Sequence, residues 1–271
     1  MSVNFIFILN PKNDFAKKCI ISEDFKERIG LDEKSFKKAG LAKFDKDTGV
    51  VHFFPTKSFS KNYTKYIKNS ENYKYDEKEI IEIVKKYTTH ESWYCTKINL
   101  LLASDSDDMK DQCDYIKQLI WCIKKLASIY PILETRVFRG NQCSLEEYNA
   151  YKLNENLYIP SFLSSSKNPK KFYQAESHNT LMVINLKYIP NNAFVVNAKY
   201  SIYSEEEEEV LFGCYSKFRV IKKMKNYCFN KKNYEFYIEL EHINEPIKEM
   251  NENLKKMICY NFFQSSNLAY L

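Results

Sequence analysis

The chain has 271 residues, 44% of them hydrophobic, and a net charge of +6 from 41 basic and 35 acidic side chains. This length and apolar content exclude a disordered chain and predict one large domain, or a domain with a smaller companion. The charge is mild and dispersed, so a nucleic-acid partner is not expected. With only five glycines, the chain carries neither the GxGxxG nor the GxxxxGK[ST] phosphate-binding motif.

No apolar stretch reaches the roughly 20 residues that a membrane-spanning helix needs, so no membrane partner is expected. The apolar run from Phe5 to Leu9 is too short for a signal peptide and predicts a strand. The eight cysteines form no CxxC pair and the four histidines share no ligand spacing, so no metal is expected. We expect a monomeric cytoplasmic protein with reduced thiols; the alternative is secretion, if a signal segment precedes this sequence.

Residues 1–70 form an N-terminal α/β region for which the sequence indicates no chemistry. Lys43 to Phe54 predicts a β-hairpin, because the aspartates and glycine between Asp45 and Gly49 suit its turn. The polar stretch from Ser58 to Lys74 predicts a linker. Residues 71–245 are then a second domain, and residues 246–271 are a C-terminal tail.

The second domain begins with helices. Apolar residues recur at helical spacing from Ile80 to Tyr87 and from Tyr115 to Ile129, where Pro131 ends the pattern, and Trp93 to Leu102 predicts a helix between them. Short β-rich runs follow at Thr135–Arg139, Tyr158–Ser165, Thr180–Leu186, Ala193–Ala198, Val210–Val220 and Tyr234–Ile243. Helices first and strands after them predict an α+β fold.

Three polar features stand at the ends of these strands. Arg139 and Gly140 end the first strand, the triplet Ser164–Ser166 ends the second, and the acidic run Glu205–Glu209 leads into the fifth. Taken singly, each has an ordinary explanation as a surface turn, a hydrogen-bonded loop or a solvated acidic face. The acidic run meets the apolar residues Val210–Phe212, however, so its last members are predicted to enter a sheet.

Taken together, these features resemble the arginine-specific mono-ADP-ribosyltransferases, the arginine-serine-glutamate class that includes ectoenzymes and binary toxins. Arg139, Ser164 and Glu209 follow one another at intervals of 25 and 45 residues. The segments Thr135–Gly140 and Tyr158–Ser166 are similar to that family's Val-Tyr-Arg-Gly and Phe-x-Ser-Thr-Ser motifs. The resemblance covers roughly residues 76 to 243.

The chain departs from the family pattern at two positions. Ser165 stands where the family has threonine, which keeps the hydroxyl but loses β-branching. Asn154 stands where related sequences often have a glycine before the serine strand, and asparagine is the residue after glycine that best tolerates a left-handed turn. Neither change removes a catalytic group.

The resemblance implies an ADP-ribosyltransferase-like fold, in which N-terminal helices are followed by two packed, mainly antiparallel β-sheets around an NAD cleft. It implies that NAD+ is a co-substrate whose ADP-ribose passes to an exposed arginine of an acceptor protein, with release of nicotinamide and without a metal. The chemistry agrees with the residue types, because breaking the glycosidic bond develops positive charge on the ribose, which a fixed carboxylate stabilises.

The resemblance also implies a role for each site residue. Glu209 stabilises the ribose cation, Arg139 binds the pyrophosphate through its planar guanidinium, and Ser164 holds the ribose. Gly140 lets the backbone approach the nicotinamide amide. Glu207 orients the acceptor guanidinium and takes its proton.

Further contacts to NAD+ are implied for Ser166 and Phe172. The ring of Phe172 would stack on nicotinamide, and Lys170 or Lys171 in the same loop would reach a phosphate. The other glutamates of the acidic run are predicted to be solvated. Tyr200 and Tyr203, just before that run, either form an aromatic wall for the acceptor or pack their loop on the sheet.

Two alternatives stay open at this stage. In an NAD+ glycohydrolase, water replaces the arginine acceptor, and the same arginine, serine and glutamate are needed. In a catalytically silent relative, the fold serves only to bind a protein or a nucleotide. The intact three-part motif favours an active enzyme over the silent module.

Overall fold

The computed structural model describes residues 42–45, 50–68, 73–88, 94–172, 178–201 and 208–243. The strand predicted at Phe5–Leu9 and the tail at 246–271 lie outside these residues, as does Glu207. The described helices are α1 Lys61–Tyr66, α2 Glu77–Thr88, α3 Tyr94–Ser104, α4 Met109–Ala127 and α5 Leu145–Ala150. The described strands are β1 Ala42–Asp45, β2 Val50–Phe53, β3 Arg136–Asn141, β4 Asn156–Ile159, β5 Leu163–Ser166, β6 Thr180–Asn185, β7 Ala193–Val195, β8 Glu209–Phe212, β9 Ser216–Phe229 and β10 Lys232–His242.

The helices form where the apolar spacing predicts them. Asp76 and Glu79 cap α2 reciprocally, since each side chain accepts a hydrogen bond from the other's backbone N–H, at 2.9 and 2.8 Å. The apolar faces of α2 and α4 are buried in one core, which the sheet also lines through residues such as Phe194 and Leu211. The α+β order, helices first and sheet after, is confirmed. None of the helices in the described ranges is long and apolar enough to cross a membrane.

Eight strands join in the order β4-β9-β10-β6-β3-β5-β8-β7. Among the described neighbours β6 and β10 run parallel, and the other pairs of this sheet run antiparallel. The predicted hairpin is present as a separate antiparallel pair, in which Asp45 of β1 lies opposite Val50 of β2.

The large sheet folds back on itself between β3 and β5, which share a single residue pair, Phe138 with Ser166. Phe212 of β8 and Phe218 of β9 have ring centroids 5.9 Å apart, although five strand spacings separate them in the sheet order. In a flat sheet that separation is about 24 Å. The two halves therefore face each other around a shared core, and the two predicted sheets are the halves of one.

Two of the predicted strands are each two strands, one in each half of the sheet. The run Tyr158–Ser165 breaks at Pro160, giving β4 and β5, and the run Val210–Val220 breaks at Gly213–Tyr215, giving β8 and β9. Tyr215 adopts a left-handed φ of 54° at the second break, which a continuous strand does not allow. Asn154 adopts φ 64°, so the expectation of a left-handed turn there is confirmed.

Part of the predicted linker is instead packed structure. Residues 61–66 form α1, and the ring centroid of its Tyr63 lies 4.1 Å from that of Tyr215, with the rings tilted by 35°. Thr56 pairs with Tyr158 of β4 through backbone hydrogen bonds of 3.0 and 2.7 Å. The linker interpretation was therefore wrong for this segment, while the division of the chain near residue 70 stays a prediction.

His242 makes the stability of this core depend on pH. Its imidazole is buried between Phe212 and Phe218, and neither ring nitrogen has a hydrogen-bond partner in the described part of the chain. Burial lowers its pKa from 6.5 to about 4. The unfolded chain therefore takes up a proton before the folded one does, and stability falls as the pH drops through this window, by up to about 3 kcal/mol.

We expect wild-type protein to lose about 2 kcal/mol of unfolding free energy more than the His242→Leu variant between pH 7.5 and pH 5. Leucine carries no titratable group and fills the same apolar site, so the variant keeps its stability at pH 7.5 to within about 1.5 kcal/mol. Urea unfolding at the two pH values measures the difference. Equal pH dependence in both proteins would contradict the assignment.

Candidate active site

The fold brings three of the predicted site residues together. Arg139 lies on β3, Ser164 on β5 and Glu209 on β8, and these three strands are consecutive in the sheet. Ser166 is the register partner of both Phe138 and Glu209, so the start of β8 lies next to the only β3–β5 pair of the described structure. Residues that are far apart in the sequence thus occupy one corner of the sheet.

Arg139 occupies the point where β3 and β5 separate. Its Nη1 donates a hydrogen bond of 2.6 Å to the backbone carbonyl oxygen of Ser164. This bond lies beside the single backbone pair of β3 and β5, Phe138 with Ser166. The side chain is half-buried, and burial lowers its pKa, an effect that the neighbouring Tyr87, Tyr151, Cys143 and Glu209 oppose. Because the ordinary pKa of arginine exceeds about 12, the guanidinium stays charged at neutral pH.

Glu209 is held rigidly at the start of β8. The residue is only 4% exposed, and its backbone carbonyl accepts a hydrogen bond of 2.9 Å from the amide of Val196. It interacts electrostatically with Arg139 and with the phenol of Tyr87. The corner therefore holds a buried carboxylate that interacts electrostatically with a half-buried guanidinium, and such interactions are stronger here than in water.

Tyr87 and Tyr151 also belong to this corner, and the sequence pattern does not single them out. Tyr87 comes from the apolar face of α2, and its hydroxyl accepts a hydrogen bond of 2.9 Å from Asn99. The side-chain oxygen Oδ1 of Asn99 accepts in turn from the backbone amide of Phe162, at 3.0 Å. Helices α2 and α3 thereby fix the approach to β5, and burial raises the pKa of both tyrosines.

Helix α5, which precedes Tyr151, was missed at the sequence level. Ser144 caps it by accepting a hydrogen bond of 3.0 Å from the amide of Glu147. The carboxylate of Glu147 is buried, with 1% of the residue exposed, and it adds to the raised pKa of Cys143 and Tyr151. The Ser-x-x-Glu pattern of a capping box was the signal that could have located this helix.

The three serines have different environments. Ser164 is half-buried, whereas Ser165 and Ser166 are buried. The hydroxyl of Ser166 donates to the carbonyl of Asn168 at 3.2 Å and accepts from its amide at 3.0 Å. Ser166 thus shapes the start of the loop 167–172, and Ser164 is the serine whose side chain keeps access to solvent.

Glu208 was predicted to be a solvated neighbour of the site, and its side chain is partly exposed but also contacts the loop 167–172. Its carboxylate oxygen Oε1 lies 2.8 Å from Nζ of Lys171 and 3.1 Å from Nδ2 of Asn168. The hydrogen bond from Lys171, followed by that from Asn168, lowers the pKa of Glu208. Glu207, the predicted acceptor-activating residue, lies outside the described residues, as do Glu205 and Glu206.

Two aromatic residues proposed as ligand contacts are packed in the protein. Phe172 is 4% exposed and stacks on Phe138 with ring centroids 6.2 Å apart, in a small core with Tyr234. In this conformation its ring is a core contact, so the structure gives no support to stacking on nicotinamide. Tyr200 is 2% exposed and packs edge-on against Tyr130, which agrees with the packing alternative for this residue.

Gly140 follows Arg139 on β3, opposite Leu181 of β6, and is buried. Lys170 is exposed in the loop 167–172, and its amide donates 2.9 Å to the side chain of Asn168. In the described part of the chain, no three His, Cys, Asp or Glu side chains are grouped as a metal site requires.

No protein-family model matches the sequence, and no match was found among curated proteins. Among solved structures, the type III effector XopAI from Xanthomonas axonopodis pv. citri is similar with a TM-score of 0.49 and 16% identity, over 62% of this chain and 68% of that one. C3larvin, an ADP-ribosyltransferase toxin from Paenibacillus larvae, gives 0.46 and 17%, over 61% and 94%. Vis toxin, an ADP-ribosyltransferase from Vibrio splendidus, gives 0.43 and 18%, over 69% and 78%.

Proposed function

We propose that this chain is a mono-ADP-ribosyltransferase that moves ADP-ribose from NAD+ to arginine side chains of a protein and releases nicotinamide. One observation carries the proposal. Arg139 donates a hydrogen bond to Ser164 and interacts with Glu209 at the corner where β3 and β5 separate. These are the three residues of the family motif, and they come together from three strands.

The reaction breaks the bond between C1′ of the ribose and the nicotinamide nitrogen. The electron pair leaves with nicotinamide, which becomes neutral, and positive charge develops on the ribose. A carboxylate fixed beside the ring stabilises this charge without reorganising, and such preorganised groups contribute about 10²–10³ in rate. Glu209 suits this role because it is buried and begins a strand that is paired on both sides.

The remaining groups suit the rest of NAD+. A pyrophosphate needs a cationic partner where the chain has no glycine-rich loop, and the guanidinium of Arg139 offers several donors in one plane. Ser164, half-buried on β5, is placed to bind the ribose hydroxyls. Gly140 has no side chain to keep the nicotinamide amide from the backbone.

The acceptor step needs a second carboxylate. An arginine guanidinium is protonated in water and must lose a proton as its nitrogen attacks C1′. Glu207 precedes Glu209 by two residues, in the Glu-x-Glu order that goes with arginine acceptors in the family that the sequence resembles. We therefore propose Glu207 as the residue that orients the acceptor and receives its proton.

The test is nicotinamide release from NAD+ by the purified protein, with and without agmatine as a simple arginine analogue. We expect agmatine to raise the release by wild-type protein. Glu207→Gln should lower agmatine-dependent transfer by about 10²-fold, the range of a lost general base, and leave hydrolysis within about twofold of wild type. Glutamine keeps the size of the side chain but cannot take a proton.

The controls separate the alternatives. Glu155→Gln removes a partly exposed glutamate that pairs with Lys57 at 3.0 Å, outside the site, and should change neither rate. Release that agmatine leaves unchanged would indicate an NAD+ glycohydrolase. Equal loss of transfer and hydrolysis in Glu207→Gln would remove the role given to Glu207, and a folded protein that neither binds nor cleaves NAD+ would refute the proposed function.

A further inference from the structure

Glu208, the residue directly before Glu209, contacts the loop 167–172 that follows the serine strand. Its carboxylate binds Lys171 at 2.8 Å and Asn168 at 3.1 Å, and its backbone carbonyl accepts a hydrogen bond of 3.1 Å from the amide of Lys167. One residue thus contacts the first two residues of the loop and one residue near its end. The chain directly before Glu209 and the loop are held as one unit.

The backbone conformation of Glu208 also indicates that surrounding contacts hold this residue in place. Its φ of 47° lies in the left-handed region, which is unfavourable for a residue with a side chain and persists where surrounding contacts fix it. Its side chain is 27% exposed and that of Lys171 is 42% exposed, so both groups are partly shielded. The hydrogen bond from Lys171 lowers the pKa of Glu208, and this carboxylate is therefore ionised at neutral pH.

The loop is fixed at its other points as well. Ser166 binds both backbone groups of Asn168 at the start of the loop, and Phe172 is buried at its end. Lys167 lies 3.6 Å from Glu134, on the segment that leads into β3. Ser166 and Phe172 anchor the two ends of the loop, and the contacts of Glu208 with Asn168 and Lys171 tie the loop to the residue that precedes Glu209.

We propose that Glu208 is a positioning residue, which sets the loop 167–172 for NAD+ before the substrate arrives. The inference rests on the proposed function, because it assigns the loop to the NAD+ side of the site. A loop held in its binding position has less freedom to lose when the substrate binds. Loss of the Glu208 contacts should therefore weaken binding and leave the chemical step, which depends on Glu209, nearly unchanged.

The first measurement is steady-state NAD+ cleavage by Glu208→Gln, Lys171→Met and the double variant. We expect each single change to raise KM for NAD+ about threefold to tenfold, the range of a partly shielded, charge-assisted contact, with kcat within about twofold. Because the two residues act through one contact, KM for NAD+ in the double variant should be no higher than in the more impaired single variant. Exchanging the charges, with Glu208→Lys and Lys171→Glu together, should recover part of the loss.

A matched control and one outcome decide the kinetic test. Glu155→Gln breaks an ion pair of the same type, with Lys57 at 3.0 Å, and should leave KM unchanged. If the KM effects of the two single changes multiply in the double variant, the residues act independently and the positioning role is overturned. A fall in kcat with KM unchanged overturns it too.

Hydrogen exchange of the amides in residues 167–172, in protein without NAD+, tests the same contact independently of activity. We expect exchange about tenfold faster in Glu208→Gln than in wild type, because the contacts that close the loop are weakened. Unchanged exchange overturns the proposal whether or not wild-type protein cleaves NAD+. Faster exchange in a protein whose wild-type form releases no nicotinamide refutes the proposed function and leaves Glu208 as the residue that positions this loop.

Discussion

Glu209→Gln is expected to lower nicotinamide release from NAD+ by about 10²–10³-fold, the effect of removing one preorganised group from a transition state. Glutamine has the same shape, so β8 and its pairing with β5 should persist, but the amide carries no charge to set against the ribose cation. NAD+ affinity should change less than about threefold, because the carboxylate acts mainly on charge that develops in the transition state.

The measurement is single-turnover nicotinamide release together with NAD+ binding by calorimetry, which separates the chemical step from affinity. Glu155→Gln again provides the control, since it removes one partly exposed glutamate outside the site. A Glu209→Gln protein that is folded, binds NAD+ and still cleaves it at more than about a tenth of the wild-type rate would contradict the assigned role.

Strand β10 shows how far periodicity alone leads. In the run Tyr234–Ile243, the residues Tyr234, Phe236, Ile238 and Leu240 alternate onto one face, and all four are buried. The opposite face carries three glutamates, yet Tyr237 on that face is also buried, with its ring centroid 4.3 Å from that of Tyr227 on the adjacent strand. Period two reports which side chains share a face, but whether a second layer covers the other face depends on distant segments.

The acidic run shows where sequence reasoning ends in the site. The apolar residues after the run located Glu209 at the edge of the sheet, and the structure has it as the first residue of β8. Five identical side chains in a row gave no reason to distinguish Glu208. Its contact with Lys171 depends on a left-handed backbone turn and on a loop 37 residues earlier in the numbering, and neither leaves a local pattern.

Periodicity alone could not predict that Arg139 and Ser164 lie together; the motif was needed as well. Alternation predicted the strands, but it merged β4 with β5 and β8 with β9, because apolar residues continue through both breaks. A strand order read from those longer runs would not have put β3 beside β5. The ordered arginine, serine and glutamate motif supplied the long-range information that local patterns lack.

Arg139→Lys is expected to raise KM for NAD+ by about 10- to 100-fold and to lower the free energy of unfolding by about 1–3 kcal/mol. Lysine keeps the charge but loses the planar set of donors, so it cannot bind Ser164 and a pyrophosphate together. The stability loss arises because the Ser164 carbonyl, at the point where β3 and β5 separate, loses a 2.6 Å hydrogen bond.

The matched control lies on the same strand. Arg136 is exposed on β3, and its Nε donates a hydrogen bond of 2.9 Å to the side chain of Asn185. Arg136→Lys therefore makes the same chemical change outside the corner. It should leave KM for NAD+ within about twofold and the free energy of unfolding within about 0.5 kcal/mol of the wild-type values. KM from steady-state kinetics and unfolding in urea give the two numbers for each variant. If Arg139→Lys loses stability but keeps its KM, then Arg139 stabilises the contact between the two halves of the sheet and other groups bind NAD+. If the variant loses affinity for NAD+ at unchanged stability, the lysine replaces the bond to Ser164 and the guanidinium acts only on the substrate.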